Sequence, residues 1–448
     1  MRIPTILLLT AALAAAREPT CPANNKIETT VPGSGYDALG TMKDVHEQLM
    51  ACHNVKSLDL RVTLMGCSDW PDRWNFPFRL AGGDIHPNLT TLKLEGYEFS
   101  QSDWKDALPK GYSFNQLQMW INFYGLQKWY PLWRDTAAER RYMTNMQLWL
   151  EAMDWTKLES LTLTNNVDQC FFELATPHLT GLKSLQIHSD TSEARSAALQ
   201  VITALPAETI LTNLTWADSW SPEGFSRIIE RHGETLQHLE LYSKGPWSRK
   251  EDLALTISQL GMIASKMPKL QHLSLSMNRN GSWPWDNLAA LAHIKSLVST
   301  NIWLELQEDR MHDQPAHGGT LSNHDQGKDG DRFRCPALNV TSATHLFTYL
   351  IKENKGGNLQ SVNLYIGDWN RPWDGPIYDP SWLEGRRGKV ECSIMNSQGL
   401  KKTNGDGFCI HTVDEVAPGR LGDIYLDDFT DDWYGDQELE QLQLQMEL

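Results

Sequence analysis

The chain has 448 residues, 41% of them apolar, with 18 tryptophans and a formal charge of −16. That balance argues against nucleic acid or an anionic membrane surface as the main partner, because both repel an acidic protein. The length would hold two or three ordinary domains, or one repeat body.

The N-terminus reads as a secretory leader over residues 1–16. Arg2 gives a positive start, Ile6–Leu13 an apolar stretch and Ala14-Ala15-Ala16 a small-residue cleavage site. The apolar run is shorter than the ~20 residues a membrane span needs. Export predicts an oxidising compartment for Cys21, Cys52, Cys67, Cys170, Cys335, Cys392 and Cys409. The expected pairs are Cys21 with Cys52 and Cys392 with Cys409, and the odd count leaves at least one cysteine over. Four glycosylation sequons, at Asn88, Asn213, Asn280 and Asn339, agree with export.

Residues 17–35 form an extended lead-in, and Tyr36–Ala51 is expected to be an amphipathic helix. It runs into the first of a series of L-x-x-L-x-L phrases, Val55/Leu58/Leu60. The phrase returns at Leu89/Leu92/Leu94, Phe114/Leu117/Met119, Leu158/Leu161/Leu163, Leu182/Leu185/Ile187 and Leu211/Leu214/Trp216. Further copies are Leu236/Leu239/Leu241, Leu270/Leu273/Leu275, Asn301/Leu304/Leu306, Leu359/Val362/Leu364 and Leu421/Ile424/Leu426. Helical patterns lie between them over Ser192–Leu205, Asp252–Met267 and Ser342–Asn354, the last stopped by Gly356-Gly357. The Asp252–Met267 pattern puts Leu253, Ile257, Leu260, Ala264 and Met267 on one inward face.

The clearest unit is Ser221–Leu241. Ser221 is read as the cap, Pro222 as the first helical residue, and Phe225, Ile228, Ile229 and His232 as one buried stripe. Gly233 is read as a left-handed stop before Leu236, Leu239 and Leu241. This alternation predicts an α/β leucine-rich-repeat solenoid, a horseshoe with parallel inner strands and outer helices, over residues 36–430. Long insertions are expected near 64–87, 120–150, 307–340 and 366–418, with an acidic, polar tail over 431–448.

The unit helix–Gly–x–x–L-x-x-L-x-L resembles the ribonuclease-inhibitor-like and F-box-associated leucine-rich repeats, in the degenerate form of secreted fungal proteins. The likeness spans residues 36–430 and is strongest over 155–306. It implies a horseshoe whose strand face is free to bind. No F-box pattern precedes the first repeat, so that family role does not transfer.

In such a horseshoe the residues between the strand leucines face the concave side. The candidate binding face is therefore His188, His238, Glu240, Tyr242, His272 and Tyr365, in a mostly neutral surface suited to an extracellular protein or glycan. A zinc site on His188, His238 and His272 is disfavoured because Asn213 interrupts the row. Trp216 fills a core slot. Trp70, Trp74, Trp283, Trp285, Trp369, Trp373 and Trp382 lie in loops, and Trp369, Trp373 and Trp382 are the candidates for stacking on sugar rings; covering the solenoid flanks is the plainer role. The run Asp325–Asp331 departs from a calcium loop at its third and twelfth positions. No G-x-S-x-G, H-E-x-x-H, C-x-x-C or phosphate loop occurs. The expectation is a secreted, non-catalytic interaction protein without cofactor or metal. The rival is a carbohydrate-active or carbohydrate-binding protein using the loop tryptophans.

Overall fold

The computed structural model describes residues 20–31, 39–62, 76, 78, 82–100, 143–164, 169–188, 192–217, 224–242, 254–279, 282–306, 336, 338–366, 388–394 and 408–412. The chain divides into two compact units, Met1–Leu158 and Glu159–Leu448. No helix among the described residues is long and apolar enough to cross a membrane.

The first unit contains β1 (Lys26–Val31), α1 (Met42–Ala51), β2 (Ser57–Val62), β3 (Thr91–Glu95) and α2 (Asn145–Ala152). Strands β1, β2 and β3 pair in that order, all parallel. Ile27, Leu58 and Leu92 share one register position and are buried, while Glu28, Asp59 and Lys93 alternate to the other side. Helix α1 starts at Met42, not at Tyr36, because Thr41 and Asp44 form a reciprocal cap: each side chain accepts from the other's backbone N–H, at 3.0 and 3.1 Å. The expected Cys21–Cys52 disulfide fastens the start of β1's lead-in to the end of α1.

The second unit contains β4 (Ser160–Thr164), α3 (Gln169–Ala175), β5 (Ser184–His188), α4 (Ser192–Ala204), β6 (Asn213–Ala217), α5 (Phe225–His232) and β7 (His238–Leu241). It continues with α6 (Ile257–Lys266), β8 (His272–Arg279), α7 (Trp285–Ala292), β9 (Ser299–Leu306), α8 (Val340–Glu353) and β10 (Ser361–Ile366). Strands β4 to β10 are parallel neighbours in chain order, as strand–helix repeats require. Two further strands, β11 (Gly388–Ser393) and β12 (Phe408–Thr412), lie within the segment read as an insertion. They add antiparallel to β10 and to each other, a departure from the all-parallel expectation. The expected Cys392–Cys409 bond joins them across one register pair.

One backbone device recurs at the described parallel steps from β2 to β3 and from β4 through β10. The carbonyl just after the first apolar residue of a phrase accepts two N–H groups from the next coil. Thus Glu159 O takes Lys183 and Ser184, Lys183 O takes Thr212 and Asn213, and Thr212 O takes Gln237 and His238. The same pattern continues through Gln237, Gln271 and Val298. It places the start of the ninth phrase at Leu297, since Val298 and Ser299 are the residues that donate to Gln271 O.

The ninth phrase is therefore Leu297/Thr300/Ile302, not Asn301/Leu304/Leu306. All three side chains are buried, and Thr300 and Ile302 align with Leu273 and Leu275. Threonine is accepted in the leucine slot because its hydroxyl donates to Leu273 O at 2.8 Å, so no polar group is stranded. The phrases at Phe114 and Leu421 lie outside the described residues.

The unit around α5 keeps its buried stripe of Phe225, Ile228, Ile229 and His232. Its ends differ from expectation. The helix begins after Gly224, without a side-chain cap, while Ser221 and Pro222 lie outside the described residues. A Cβ at Gly224 would fall 2.2 Å from Leu199 Cδ1, so the glycine makes room for α4's side chain. Gly233 has φ −56°, a right-handed value, so it is not a left-handed stop. It is glycine because a Cβ there would meet Ile229 O at 2.5 Å and Lys266 O at 2.9 Å. In α6 the helix starts at Ile257 behind the Thr256 cap. Ile257 is 51% exposed, and Leu260 and Ile263 carry the inward face. After α8, Gly357 has φ +64° and makes the turn that Gly356-Gly357 announced.

Candidate functional site

The alternating strand positions that leave the leucine core build the candidate site, and the two units fill them differently. In the first unit the outward positions form a ladder of paired charges. Lys93 meets Asp59 at 3.2 Å, Lys26 reaches Glu28 at 2.5 Å and Asp59 at 3.8 Å, and Arg61 meets Glu95 at 3.1 Å. Parallel register brings these about, since Asp59 stands opposite both Glu28 and Lys93.

The first unit also holds a buried polar relay. His46 Nδ1 lies 3.1 Å from His86 Nε2, and His46 Nε2 lies 3.6 Å from Asp84 Oδ1. Phe76 and Phe78 close over both imidazoles, and Trp149 packs edge-on against His86. Burial, aided by His46 and opposed by Asp84, lowers the pKa of His86 to about 3. Sequence reading missed this group, whose only signal was the Asp84-Ile85-His86 spacing. None of the three is exposed, so the relay is part of the core.

In the second unit the outward face of β7 to β10 carries three neighbouring columns. The first is His238, His272 and Ser299, which share one register position. The imidazoles stack at 4.2 Å with 12° between their planes, and His272 Nδ1 contacts Ser299 Oγ. Burial lowers the pKa of both histidines, and His272 adds to the effect on His238.

The second column is Glu240, Ser274, Asn301 and Asn363. Asn363 Nδ2 donates to Asn301 Oδ1 at 2.8 Å, and Asn301 Nδ2 donates to Ser274 Oγ at 2.8 Å. The third column is aromatic. Tyr242 stacks on Trp303 at 4.8 Å and 3°, and Trp303 stacks on Tyr365 at 4.2 Å and 10°. Ser276 stands opposite Trp303 in register and has no exposed surface, so a small residue there lets two rings from alternate strands meet. Lys389 Nζ lies 5.6 Å from the Tyr365 ring centre and pairs with Glu391. Burial raises the pKa of Tyr365, with Lys389 pulling the other way.

Five of the six expected face residues therefore gather on β7, β8 and β10 or, for Tyr242, directly after β7: His238, Glu240, Tyr242, His272 and Tyr365. His188 is on β5, opposite Thr164 and Ala217, apart from the histidine stack. Among the described residues no group of three or more His, Cys, Asp or Glu could hold a metal ion. Trp303, Asn301 and Ser299 were missed because the ninth phrase was read four residues late. The recurring carbonyl pattern, with threonine allowed in the leucine slot, is the signal that finds them.

Of the tryptophans, Trp216 is in the core as expected. Trp283 is also buried, and Trp285 opens α7 and packs edge-on against Tyr349 at 5.0 Å, so neither is an exposed loop aromatic. Trp369, Trp373 and Trp382, with Trp70, Trp74 and the Asp325–Asp331 run, lie outside the described residues. Asn88 and Asn339 are exposed, Asn213 is half-buried at the start of β6, and Asn280 is outside the described residues. Asn339 caps α8, its Oδ1 accepting from Ser342 N at 2.8 Å, which leaves Nδ2 available.

No protein-family model and no curated protein matches the sequence. Among solved structures, the chain is similar to the leucine-rich repeat-containing protein LegL7 from Legionella pneumophila, with 14% identity over 54% of this chain and 83% of that one. The TM-score of 0.25 is too low for that likeness to carry an argument. The leucine phrases, their register and the parallel strand order stand on this chain's own geometry: a leucine-rich α/β repeat protein.

Proposed function

We propose that the chain is an exported, non-catalytic interaction protein that binds a protein partner through the outward face of β7 to β10. The observation that carries this reading is the Tyr242–Trp303–Tyr365 stack, set beside a hydrogen-bonded Ser274–Asn301–Asn363 row. Aromatic residues flanked by amides, with few charges, are what the centre of a protein interface uses.

The same stack weighs against a sugar at this spot. A sugar ring packs on the flat face of an aromatic, and here those faces lie against one another at 4.2 and 4.8 Å. A ligand would meet ring edges and the amide row. The carbohydrate reading is left to Trp369, Trp373 and Trp382.

Export by a leader over residues 1–16 and glycosylation at Asn88, Asn213, Asn280 and Asn339 belong to this proposal. A glycan on Asn213 would stand one strand from His238 and bound the face on that side. The test is capture from extracellular medium with the immobilised mature chain, against Trp303→Ala and Asn301→Ala. Retention of a partner by wild type and its loss in both variants supports the reading; equal retention refutes it. A glycan array that binds wild type and fails with Trp369→Ala and Trp373→Ala would support the carbohydrate alternative.

A further inference from the structure

We infer that His238 and His272 form a proton-operated latch on this face, stacked when neutral and parted by acid, so that a partner held near neutral pH is released as pH falls. The inference rests on the reading of β7 to β10 as the binding face and names how that face is regulated.

The argument begins with register. His238 and His272 stand opposite each other on adjacent parallel strands, and the rings lie flat against one another at 4.2 Å. The backbones are fixed about 4.8 Å apart by the ladder, so the pair cannot separate without changing side-chain rotamers. Two neutral imidazoles tolerate that contact. Two imidazolium ions do not, because like charges at this distance on a half-buried surface repel strongly.

The surroundings decide how many protons the pair can hold. On the same side, β7 supplies Glu240, two residues from His238, and Tyr242 follows the strand. Strand β6 presents Asn213 and Thr215 there, β8 presents Ser274, Ser276 and Asn278, and β9 presents Ser299, Asn301 and Trp303. Farther along the sheet come His188 on β5, Tyr365 on β10, and Lys389 and Glu391 on β11, the last two paired with each other. Glu240 is thus the carboxylate nearest the pair in register; the other on these strands, Glu305, stands opposite Asn278, six residues along β8 from His272. One imidazolium can sit near it. A second has no carboxylate partner, and the rings must part.

Parting the rings alters the surface a partner has been fitted to. His238 and His272 begin the same strands that carry Glu240, Ser274 and Ser276, and Tyr242 follows β7 directly. The pair is also held neutral at ordinary pH by its half-burial, in the same direction for both rings. Proton uptake therefore comes in two coupled steps rather than one.

The experiment has two arms on the full chain. In the first, histidine ring resonances are followed by NMR from pH 8 to 4 in wild type, His238→Gln and His272→Gln, with circular dichroism to verify folding. A coupled, two-step titration of His238 that becomes a single step at higher pH in His272→Gln is expected. Independent titrations at ordinary values in all three proteins would overturn the latch. In the second arm, material captured from extracellular medium at pH 7.4 is washed at pH 5. Wild type is expected to retain roughly tenfold less than at pH 7.4, and the double variant H238Q/H272Q to change little. Retention by wild type that ignores pH overturns the latch and leaves the binding face standing. Coupled titration with nothing captured at either pH removes the binding face and the release together, leaving only a proton-sensitive pair.

Discussion

The strand faces of the two units are built on the same leucine phrase and end in opposite surfaces. In the first unit Lys26, Glu28, Asp59, Lys93, Arg61 and Glu95 pair among themselves. In the second, β7 to β10 present imidazoles, amides and aromatic rings, with Glu240 between the histidine and aromatic columns. A face that neutralises itself offers a partner little that is not already spent, and exposed pairs of that kind stabilise weakly. In the second face Tyr242 and Ser274 are buried within the stack and the amide row, and on the proposed reading a partner meets the half-buried His238, Asn301, Trp303 and Tyr365. The leucines set the scaffold, and the alternate positions alone separate a surface of paired charges from one of stacked rings and amides.

Four stability measurements press on this contrast, from the largest effect to the smallest, and one capture comparison closes them. Leu239→Asp puts a carboxylate into a fully buried position on β7 and should abolish the fold of the second unit, a loss above ~4 kcal/mol. Thermal melting followed by far-ultraviolet circular dichroism reads it, and an unchanged melt would contradict the register.

Acid should act next, and on the first unit. His86 is held neutral in the fold, with a pKa of about 3 against the ordinary imidazole value of 6.5. The unfolded chain therefore binds a proton that the folded chain refuses, and stability falls as pH drops from 6.5 toward 3. The slope should approach about 1.4 kcal/mol per pH unit in that window and vanish above it. Hydrogen exchange of α1 and β3 at pH 7, 5.5 and 4.5 measures it, with His86→Gln expected to flatten the slope.

Gly233→Ala is a smaller perturbation. Its new methyl group would press on Ile229 O and Lys266 O, costing about 1–3 kcal/mol in urea titrations. At the bottom, Arg61→Ala removes a half-exposed pair with Glu95 and should move stability by less than ~0.5 kcal/mol. Trp303→Ala should by contrast abolish capture. If Arg61→Ala weakened capture as much, the division between the two faces would fail.

Most of the scaffold was legible because burying a strand leucine is a strong and periodic requirement. Leu58, Leu92, Leu161, Leu185, Leu214, Leu239 and Leu273 occupy one line of the parallel register within each unit. What escaped were the positions where a different residue satisfies the same physics. Thr300 takes a leucine slot by giving its hydroxyl to a backbone carbonyl, and that single exchange hid Trp303 and Asn301. Gly233 was legible as a necessary glycine but for another reason, crowding from α6 in place of a left-handed turn. The relay of His46, Asp84 and His86 joins residues 40 apart in sequence through loop contacts that no local period encodes.

The shared carbonyl described for each coil has a consequence for how this chain can change. Each new coil takes its bearings from one oxygen of the coil before it, and not from a count of intervening residues. Lys183 O and Val298 O do the same job, yet the next coil's first donor, Thr212 or Gln360, comes after very different lengths of chain. Segments on the far side of that contact are therefore free to lengthen, shorten or acquire new chemistry without disturbing the alignment. Evolution can lease out the loops while the docking points stay fixed.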